Sequence, residues 1–509
     1  MPSYPVRSPK SKANLVQTFR GETRTAVPLH PLEQALVVVA ILHLCFLPWA
    51  FGTRAPWAQI ISLVLAVLSF GIALWPRRYS GELAPEGDFT LHTWPRLLRF
   101  PPFWLGLGFC TFIVLGALNP SYERMSNGTV WYLKPLEHID WLPSGLDAPF
   151  NIMNAWRTLV IVAAVWLLAC ALWTAITRRT AIQTILTAVV INAAILSLIA
   201  IVQKMSGADK ILWFFSGAPR YFHGTFYYKN HAAAYFNLTA IVAAGLMIWH
   251  HIRGLRHLER SSPSPVFAFG FIVIGSCVFM SGSRTGMILL AGYILIMVTT
   301  YLLWRTRRSA GPSNRLLTVL ATLAILGFIS TAIYFLNLDK SIDQIRRLAN
   351  EDKQWSVEAR IQAREATYEL FRDQPLTGWG AGSFRHAFPT HQQNYPDIYR
   401  GPARRYFYWE HAHNDYVQAL AEFGVIGFAL PVLSLLWLIA KLCRLGGLGQ
   451  PAFLLTLFGL GLTLCHSWVD FQLYNACILT SFGAIAVMLV RWAELEINPS
   501  NISPSTLRG

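Results

Sequence analysis

The sequence predicts an all-α, polytopic integral membrane protein, and three observations support this prediction. The chain has 509 residues and is 54% hydrophobic. Only 13% of its residues are charged, whereas a soluble domain has about 25%. Apolar runs of roughly 17 to 25 residues, long enough to span a bilayer as helices, recur from end to end. We therefore expect about twelve transmembrane helices and one large helical loop outside the membrane.

The predicted spans follow one another closely except at one place. We expect them near 34–52, 57–75, 101–118, 155–177, 181–202, 231–249, 265–282, 286–304, 316–337, 415–441, 452–470 and 474–491. The predicted organisation is a basic tail at 1–33, nine spans within 34–337, a loop at 338–413, three spans within 414–492 and a tail at 493–509. The first tail lacks the pattern of a cleavable signal.

The basic residues predict the orientation in the membrane. With the N-terminus inside, the short cytoplasmic segments hold roughly 22 basic residues and the short outer segments roughly 9, a clear positive-inside bias. Both tails are then cytoplasmic, and the loop at 338–413 is outside. The net charge of +16 follows mainly from this topology, so it does not indicate binding to nucleic acid.

The seven cysteines lie in or beside the apolar spans, where an oxidising compartment does not pair them. We expect them to pack as small residues. The chain has neither a Cys-x-x-Cys pair nor a glycine-rich nucleotide loop, so we expect no cofactor and no structural metal.

The segment that begins at His411 is the strongest candidate for chemistry. His411, His413 and Asp415 stand directly before a long apolar run, where ionisable groups are costly and are usually functional. If a helix begins near 412, His413 shares a face with Val417 and Leu420, and His411 points elsewhere. Histidine suits general base catalysis because its pKa lies near neutrality. A metal site formed by the two histidines and Asp415 is the alternative, although alternate residues diverge on a helix.

Two shorter motifs lie at the predicted outer ends of spans. Lys229, Asn230 and His231 lead into the sixth span, where a helix N-terminus favours an anion; the alternative is an interfacial aromatic belt with a helix cap. Arg284 follows Ser281-Gly-Ser and could bind a phosphate with two hydrogen bonds; the alternative is an arginine that snorkels to the membrane surface.

The long loop contains a predicted amphipathic helix at 356–372. Val357, Ile361, Tyr368 and Phe371 fall on one stripe at about 100° per residue. Arg360 and Arg364 lie within this apolar stripe, opposite three glutamates. We therefore expect both arginines to face the body of the protein; the alternative is that their stems pack while their charged heads escape sideways.

Three polar features follow this helix. The glycines at 378, 380 and 382 permit either a tight turn or a nest of N–H groups for an anion. Glu422 lies two helical turns beyond His413, and we expect it to hold loop backbone or a basic partner. His466 and Asp470 are one helical turn apart near an outer span end, where they serve either helix packing or chemistry.

Taken together, these motifs resemble the O-antigen ligase and polymerase family of bacterial envelope proteins. The resemblance covers roughly residues 220–480 and keeps the family's order. It rests on Gly224-Thr-Phe with Lys229-Asn-His231, Ser283-Arg-Thr-Gly286, Arg360 with Pro375-Leu-Thr-Gly-Trp-Gly-Ala-Gly-Ser-Phe384, His411-Ala-His-Asn-Asp-Tyr416 with Glu422-Phe-Gly424, and His466 with Asp470-Phe471. One departure is Tyr228-Lys229-Asn230, where the family often has Asn-x-Asn; Lys229 then takes over part of a phosphate contact.

The resemblance implies a GT-C-like glycosyltransferase fold in the bacterial inner membrane, with its active site facing the periplasm. It implies transfer of a glycan from an undecaprenyl-pyrophosphate carrier to an acceptor hydroxyl, with inversion and without a metal. The implied catalytic residues are His413, Arg360 and Arg284. The expected substrate-binding residues are Lys229, Asn230, His231, Arg364, Asn414, Glu422 and Asp470.

The acceptor stays open within this class of enzyme. Lipid A-core, a second carrier-linked repeat and a protein hydroxyl are the three candidates. A membrane transporter is the alternative from a different class. Against it, the charged residues cluster near one face and the sequence shows no clear inverted repeat.

Overall fold

The computed structural model of the protein describes residues 28–84, 87–128, 130–216, 222–257, 261–308, 352–399 and 407–497. Its long helices are α1 (Pro31–Trp49), α2 (Pro56–Leu74), α3 (Pro101–Leu118), α4 (Ala155–Ala175), α5 (Arg179–Met205), α6 (Lys229–His257), α7 (Ser264–Met280), α8 (Arg284–Arg308), α9 (Asp352–Asp373), α10 (Asp415–Arg444), α11 (Pro451–Ser467) and α12 (Ala476–Ile497). Short helical segments lie at Phe51–Thr53, Gly81–Leu83, Thr93–Leu98, Phe384–Ala387, Pro389–Gln392, Pro396–Tyr399 and Gly447–Gly449.

The predicted fold class, an all-helical polytopic membrane protein, is confirmed. In the described part of the chain, 9 helices are long and apolar enough to cross a membrane. The apolar helices α7 and α11 are shorter, and they occupy two further predicted spans. The span predicted at 316–337 lies outside the described residues.

Two helices form the centre of the bundle. The apolar window of α6 is 94% buried and that of α12 is 89% buried, whereas that of α8 is only 17% buried. Alanines make the close packing around α6 possible, because small side chains let helix backbones approach. The central position of α6 matters for function, since its first residues belong to the predicted site.

The start of α1 and the end of α12 lie at the same end of the bundle. The carboxylate of Glu33 accepts hydrogen bonds from the backbone N and side-chain Oγ1 of Thr177, which precedes α5. At this end Arg491 donates to the Ile176 carbonyl, and Arg179 pairs with Glu496 at 2.8 Å. The connections that carry the predicted site lie at the opposite end, which we call the site end.

Two small sheets lie in connections between helices. Strands β1 (Arg77–Tyr79) and β2 (Phe89–Leu91) pair antiparallel. Strands β3 (Pro120–Ser126), β4 (Trp131–Pro135) and β5 (Gly145–Asp147) form a second sheet in the order β4-β3-β5. This second sheet supports the long loop, because Tyr122 stacks on Trp379 with ring centroids 5.6 Å apart.

The buried face of α9 differs from the predicted apolar stripe. Ile361 and Tyr368 are 48% and 53% exposed, so this part of the prediction was wrong. Mostly small residues form the buried face instead, since they permit close packing beside α10; the buried residues are Ala359, Ala363, Ala366, Thr367 and Leu370. Arg360 and Arg364 are half-buried at the border of this face.

Helix α10 and the glycine-rich loop 375–384 are joined where the helix breaks at Gly424. The backbone of Gly424 has φ 61° and ψ −173°, so the helix loses its regular hydrogen bonds there. Four backbone bonds to the loop replace them, from Trp379 N to Ala421 O (2.9 Å), Gly380 N to Glu422 O (2.8 Å), Val425 N to Pro375 O (2.9 Å) and Ile426 N to Leu376 O (3.1 Å). We call this arrangement the loop–helix interlock.

Candidate functional site

His413 lies just outside α10. The helix begins at Asp415, and Asn414 caps it by accepting hydrogen bonds from the backbone N of Tyr416 and Val417. His413 itself has φ 51°, a left-handed conformation that is uncommon for residues other than glycine. The prediction that His413 shares a helical face with Val417 was therefore wrong, because the helix starts at Asp415, two residues after His413.

Asp470 holds the imidazole of His413. The Nδ1 of His413 donates to Oδ1 of Asp470 at 2.9 Å, and the Asp470 side chain is only 2% exposed. Burial alone would raise the pKa of Asp470. The hydrogen bond and charge of His413, together with Arg360, outweigh burial and hold this pKa well below its ordinary range. Asp470 is thus a buried carboxylate that fixes one ring nitrogen of His413.

The second oxygen of Asp470 ties the same site to the start of α6. Its Oδ2 accepts from the Tyr228 hydroxyl at 3.0 Å and from Asn230 Nδ2 at 2.5 Å. Burial, followed by the charge of Asp470, raises the pKa of Tyr228, so this phenol stays protonated and donates. Asn230 therefore positions the carboxylate that holds His413.

Lys229 and His231, the other two residues of the motif Lys229-Asn230-His231, take different positions. The ring of His231 contacts the Phe471 carbonyl at 3.2 Å, and lies T-shaped against the Phe471 ring. Lys229 is the first residue of α6 and is half-buried. The motif thus begins a central helix and packs against the segment that carries Asp470.

His411 lies in the site, and its predicted direction away from His413 was wrong. Its ring stacks on Phe471 with centroids 4.2 Å apart, and the His413 ring meets the same Phe471 edge-on at 4.9 Å. Burial lowers the pKa of His411 well below its ordinary value, and the positive charge of Arg385 lowers it further. His411 is therefore an uncharged side chain that lines the site beside the His413–Asp470 pair.

A cavity of about 320 Å³ opens beside His413. Arg360 from α9 lines it together with Trp409, Glu410 and His411. Because Asp470 occupies Nδ1 of His413, the Nε2 atom is the nitrogen left for a ligand in this cavity. We call this space the His413 cavity.

Arg364 and Arg284 stand outside this cavity. Arg364 is half-buried one turn after Arg360, and burial, followed by the charge of Arg360, lowers its pKa. Arg284 is the first residue of α8 and is exposed. The hydroxyls before it are used within the protein, since Ser281 Oγ accepts from Ser283 N and Ser283 Oγ accepts from Gly286 N. Within the described chain, no hydrogen bond or ion pair brings Arg284 to His413.

Glu422 is 2% exposed and binds protein groups. Its carboxylate accepts from the backbone N of Gly382 and Phe384, each at 3.2 Å, and from the Tyr474 hydroxyl at 3.1 Å. The tight-turn interpretation of the glycines therefore applies, because the N–H groups of Gly382 and Phe384 bind the protein's own carboxylate rather than facing a ligand cavity. Glu422 therefore positions the backbone of the glycine-rich loop, just as the cap residue Asn414 positions the first turn of α10.

Sequence reasoning missed a second and larger cavity at the site end. Its volume is about 750 Å³, and Arg54, Arg157 and Arg385 line it. It shares Glu410, His411 and Phe471 with the His413 cavity. These arginines belong to none of the motifs above; the one available signal was an arginine in the first turn of an apolar span, at 157.

The candidate metal ligands do not converge. Asp415 accepts a hydrogen bond from Leu473 N at 2.8 Å, and the ring of His411 is stacked on Phe471. Across the described ranges, no group of three or more histidine, cysteine, aspartate and glutamate side chains has an arrangement that could hold a metal ion.

One comparison with known proteins gives a match. Residues 269–432 match a family model described as O-antigen ligase. The matched segment includes Arg284, Arg360, His413 and Glu422, and it ends before Asp470. No curated protein matches the chain.

Proposed function

Because residues 269–432 match a family model described as O-antigen ligase, we propose that this protein is a membrane glycosyltransferase of envelope polysaccharide biosynthesis. It moves a glycan from an undecaprenyl-pyrophosphate carrier to an acceptor hydroxyl at the periplasmic face of the bacterial inner membrane. The observation that carries this proposal is the imidazole of His413, held by Asp470 and facing a cavity lined by Arg360.

His413 acts as the general base in this proposal. Asp470 Oδ1 accepts a hydrogen bond from His413 Nδ1 at 2.9 Å, so the proton stays on Nδ1 and the imidazole presents an unprotonated Nε2 to the cavity. The acceptor hydroxyl gives its proton to Nε2 as its oxygen bonds to the anomeric carbon. The low pKa of Asp470 keeps its carboxylate ionised, which stabilises the imidazolium that forms. A positioned base of this kind contributes about 10²–10⁴ in rate.

The arginines serve the leaving group. As the acceptor oxygen attacks, the bond from the anomeric carbon to the phosphate oxygen breaks and the carrier diphosphate departs. Attack from the side opposite the diphosphate inverts the anomeric carbon. Arg360 lies in the cavity that His413 faces, and charge-assisted hydrogen bonds contribute about 1.5–3 kcal/mol each. A diphosphate clamped by arginines leaves without a metal ion, and Arg284 at the start of α8 is the second proposed clamp residue.

Transfer by purified protein tests the proposal directly. With a lipid-linked glycan donor, His413→Ala should lower transfer by about 10²–10⁴ while the donor still binds. The matched control is His411→Phe, which keeps the stack on Phe471 and should retain most activity. If His413→Ala works as fast as the unchanged protein, the base assignment fails. Inhibition by EDTA that a divalent cation reverses would instead indicate a metal-dependent reaction.

The arginine roles need their own variants. Arg360→Ala should abolish most transfer, and Arg360→Lys should restore little, because lysine keeps the charge but loses the two-pronged geometry. Arg284→Ala tests the exposed clamp residue in the same assay. Near-normal transfer in both alanine variants would remove the clamp.

The acceptor decides between a ligase, a polymerase and a protein O-oligosaccharyltransferase. Deletion of the gene followed by glycan profiling distinguishes them. Loss of glycan on lipid A-core indicates a ligase, single repeats in place of long chains indicate a polymerase, and loss of protein-linked glycan indicates the third. Solute movement in liposomes without any glycan donor would favour the transporter instead.

A further inference from the structure

The larger cavity at the site end carries an excess of positive charge. We call it the triple-arginine cavity, after Arg54, Arg157 and Arg385. In the described lining, three guanidinium groups face one carboxylate, that of Glu410, which leaves two positive charges in excess. The histidine that it shares with the His413 cavity adds no charge, because burial keeps the pKa of His411 low.

Arg157 is held in place by neutral groups. It is 7% exposed and lies in the first turn of α4. Its Nε donates to Gln59 Oε1 at 2.7 Å, its Nη1 to Asn151 O at 2.9 Å and its Nη2 to Arg54 O at 2.6 Å. A buried charge is costly unless an opposite charge compensates it, and none of these partners is anionic. The guanidinium is thus oriented in advance for an anion.

The other two arginines approach from different segments. Arg54 lies between α1 and α2, and its Nη2 is 3.7 Å from Glu410 Oε2, a loose pair in which both side chains are about half exposed. Arg385 belongs to the short helix Phe384–Ala387 and donates to the Ile152 carbonyl at 3.1 Å. Three segments far apart in the sequence therefore direct guanidinium groups to one space, as recognition of a multiply charged anion requires.

Size and surroundings define the ligand further. A volume of about 750 Å³ exceeds what a phosphate group fills. The first turns of α2 and α4 border the cavity, and Trp57 on α2 is 49% exposed, as is typical of an indole at a membrane interface. Aromatic rings such as Tyr227 line the same space, and rings of this kind suit sugars or prenyl chains.

From these observations we infer that the triple-arginine cavity binds the phosphate-bearing headgroup of a membrane-anchored glycolipid. The inference rests on the proposed function and extends it with a second subsite. The cavity meets the His413 cavity at Glu410, His411 and Phe471, so a headgroup there lies beside the proposed base. Two sources share this chemistry, the diphosphate of the donor and a phosphorylated sugar of the acceptor.

Binding without turnover tests the inference. The full chain is placed in nanodiscs, and its affinity is measured for farnesyl diphosphate and, separately, for bis-phosphorylated lipid A. Arg54→Gln and Arg385→Gln, which alter half-exposed side chains, should each weaken one of the probes by about tenfold or more. Arg157→Gln should also weaken probe binding, and it is used only if its melting curve shows that the variant is folded. Arg78→Gln is the matched control, because Arg78 is exposed at the opposite end of the bundle.

The probe whose binding the arginine variants weaken identifies the ligand of the cavity. Weaker binding of farnesyl diphosphate by the variants assigns the cavity to the donor. Weaker binding of lipid A assigns it to the acceptor. The inference is overturned if the variants bind both probes as the unchanged protein does, or if the unchanged protein binds neither. His413→Ala separates this test from that of the proposed function, since it should leave probe binding unchanged while transfer is lost.

Discussion

At the scale of single residues, His413 shows what the site requires of the backbone. Its φ of 51° costs about 1–3 kcal/mol in a residue with a side chain. This conformation lets the ring pack edge-on to Trp409 and Phe471 while Nδ1 bonds to Asp470. In the sequence, the position of ionisable residues directly before an apolar run predicted that His413 is functional. The left-handed turn and the pairing with Asp470 could not be predicted, because they depend on a contact 57 residues away.

Asp470→Asn tests whether this carboxylate positions the base. The amide keeps the size of the side chain but removes the charge that selects the Nδ1 proton. We expect kcat for transfer to fall by about 10²–10⁴ while KM for the donor changes little. A rise in KM with unchanged kcat would instead assign Asp470 to substrate binding. Asn230→Ala, which removes one of the donors to Asp470, should have a smaller effect in the same direction.

His386 predicts part of the protein's response to acid. Burial lowers its pKa to about 4, although a contact with the Met153 carbonyl opposes this, and Arg385 and Arg124 lower it further. The unfolded chain takes up a proton near its ordinary pKa of about 6.5, and the folded protein does so only near 4. The stabilisation is therefore complete above 6.5 and is lost as pH falls towards 4.

Melting of the purified protein between pH 7 and pH 4.5 checks this expectation. The Tm should fall with pH, and the fall should be smaller in His386→Gln, which cannot titrate. His92→Gln changes an exposed histidine and is the control. If Tm falls with pH equally steeply in the two variants, His386 is not a source of the acid sensitivity.

At the scale of elements, the loop–helix interlock shows why helix prediction alone was not enough. The apolar run predicted a span at 415–441, where α10 lies, but it did not reveal the break at Gly424. The break follows from pairing with residues 375–384, which no local pattern encodes. The same limit explains the error on α9: its buried face consists mainly of alanines, because tertiary packing beside α10 decides which side of the helix is covered.

Gly424→Ala tests the interlock. An added Cβ would lie 2.2 Å from the Leu376 carbonyl oxygen, in addition to the strain of φ 61°. We expect a loss of about 2–3 kcal/mol in stability, seen as a lower Tm, together with reduced transfer. Gly446→Ala is the matched control, since Gly446 has φ 72° with nothing within 4 Å of the added Cβ. It should cost only about 1–2 kcal/mol of backbone strain. Equal losses would show that the contact with the loop contributes nothing.

At the scale of the whole molecule, composition and charge were sufficient for the class of fold. Hydrophobic runs predicted the long apolar helices that the structure describes, because a helix that spans a bilayer must be apolar along most of its length. Hydrophobicity could not separate α6 and α12 at the centre from α8 at the edge, since protein and lipid are equally apolar surroundings. The triple-arginine cavity could not be predicted from the sequence, because its three arginines come from segments that are far apart in the chain.

The predicted orientation can be checked at two exposed positions. Gln393→Cys lies in the long loop and should react with an impermeant maleimide in cells whose outer membrane is permeabilised. Arg78→Cys lies at the opposite end and should react only after the inner membrane is lysed. The unchanged protein supplies the background from its native cysteines. The reverse pattern would overturn the orientation and the periplasmic active site with it.

The loop–helix interlock also limits how relatives of this protein can be recombined. A chimera that exchanges the long loop alone, to change which glycan is accepted, combines residues 375–384 from one parent with 421–426 from another. The interlock tolerates little variation, because a Cβ on Gly378 would lie 2.5 Å from the Glu422 backbone and one on Gly424 would lie 2.2 Å from the Leu376 carbonyl oxygen. Crossovers are best placed before 375 and after 426, so that the loop and the kinked half of α10 are inherited as one block.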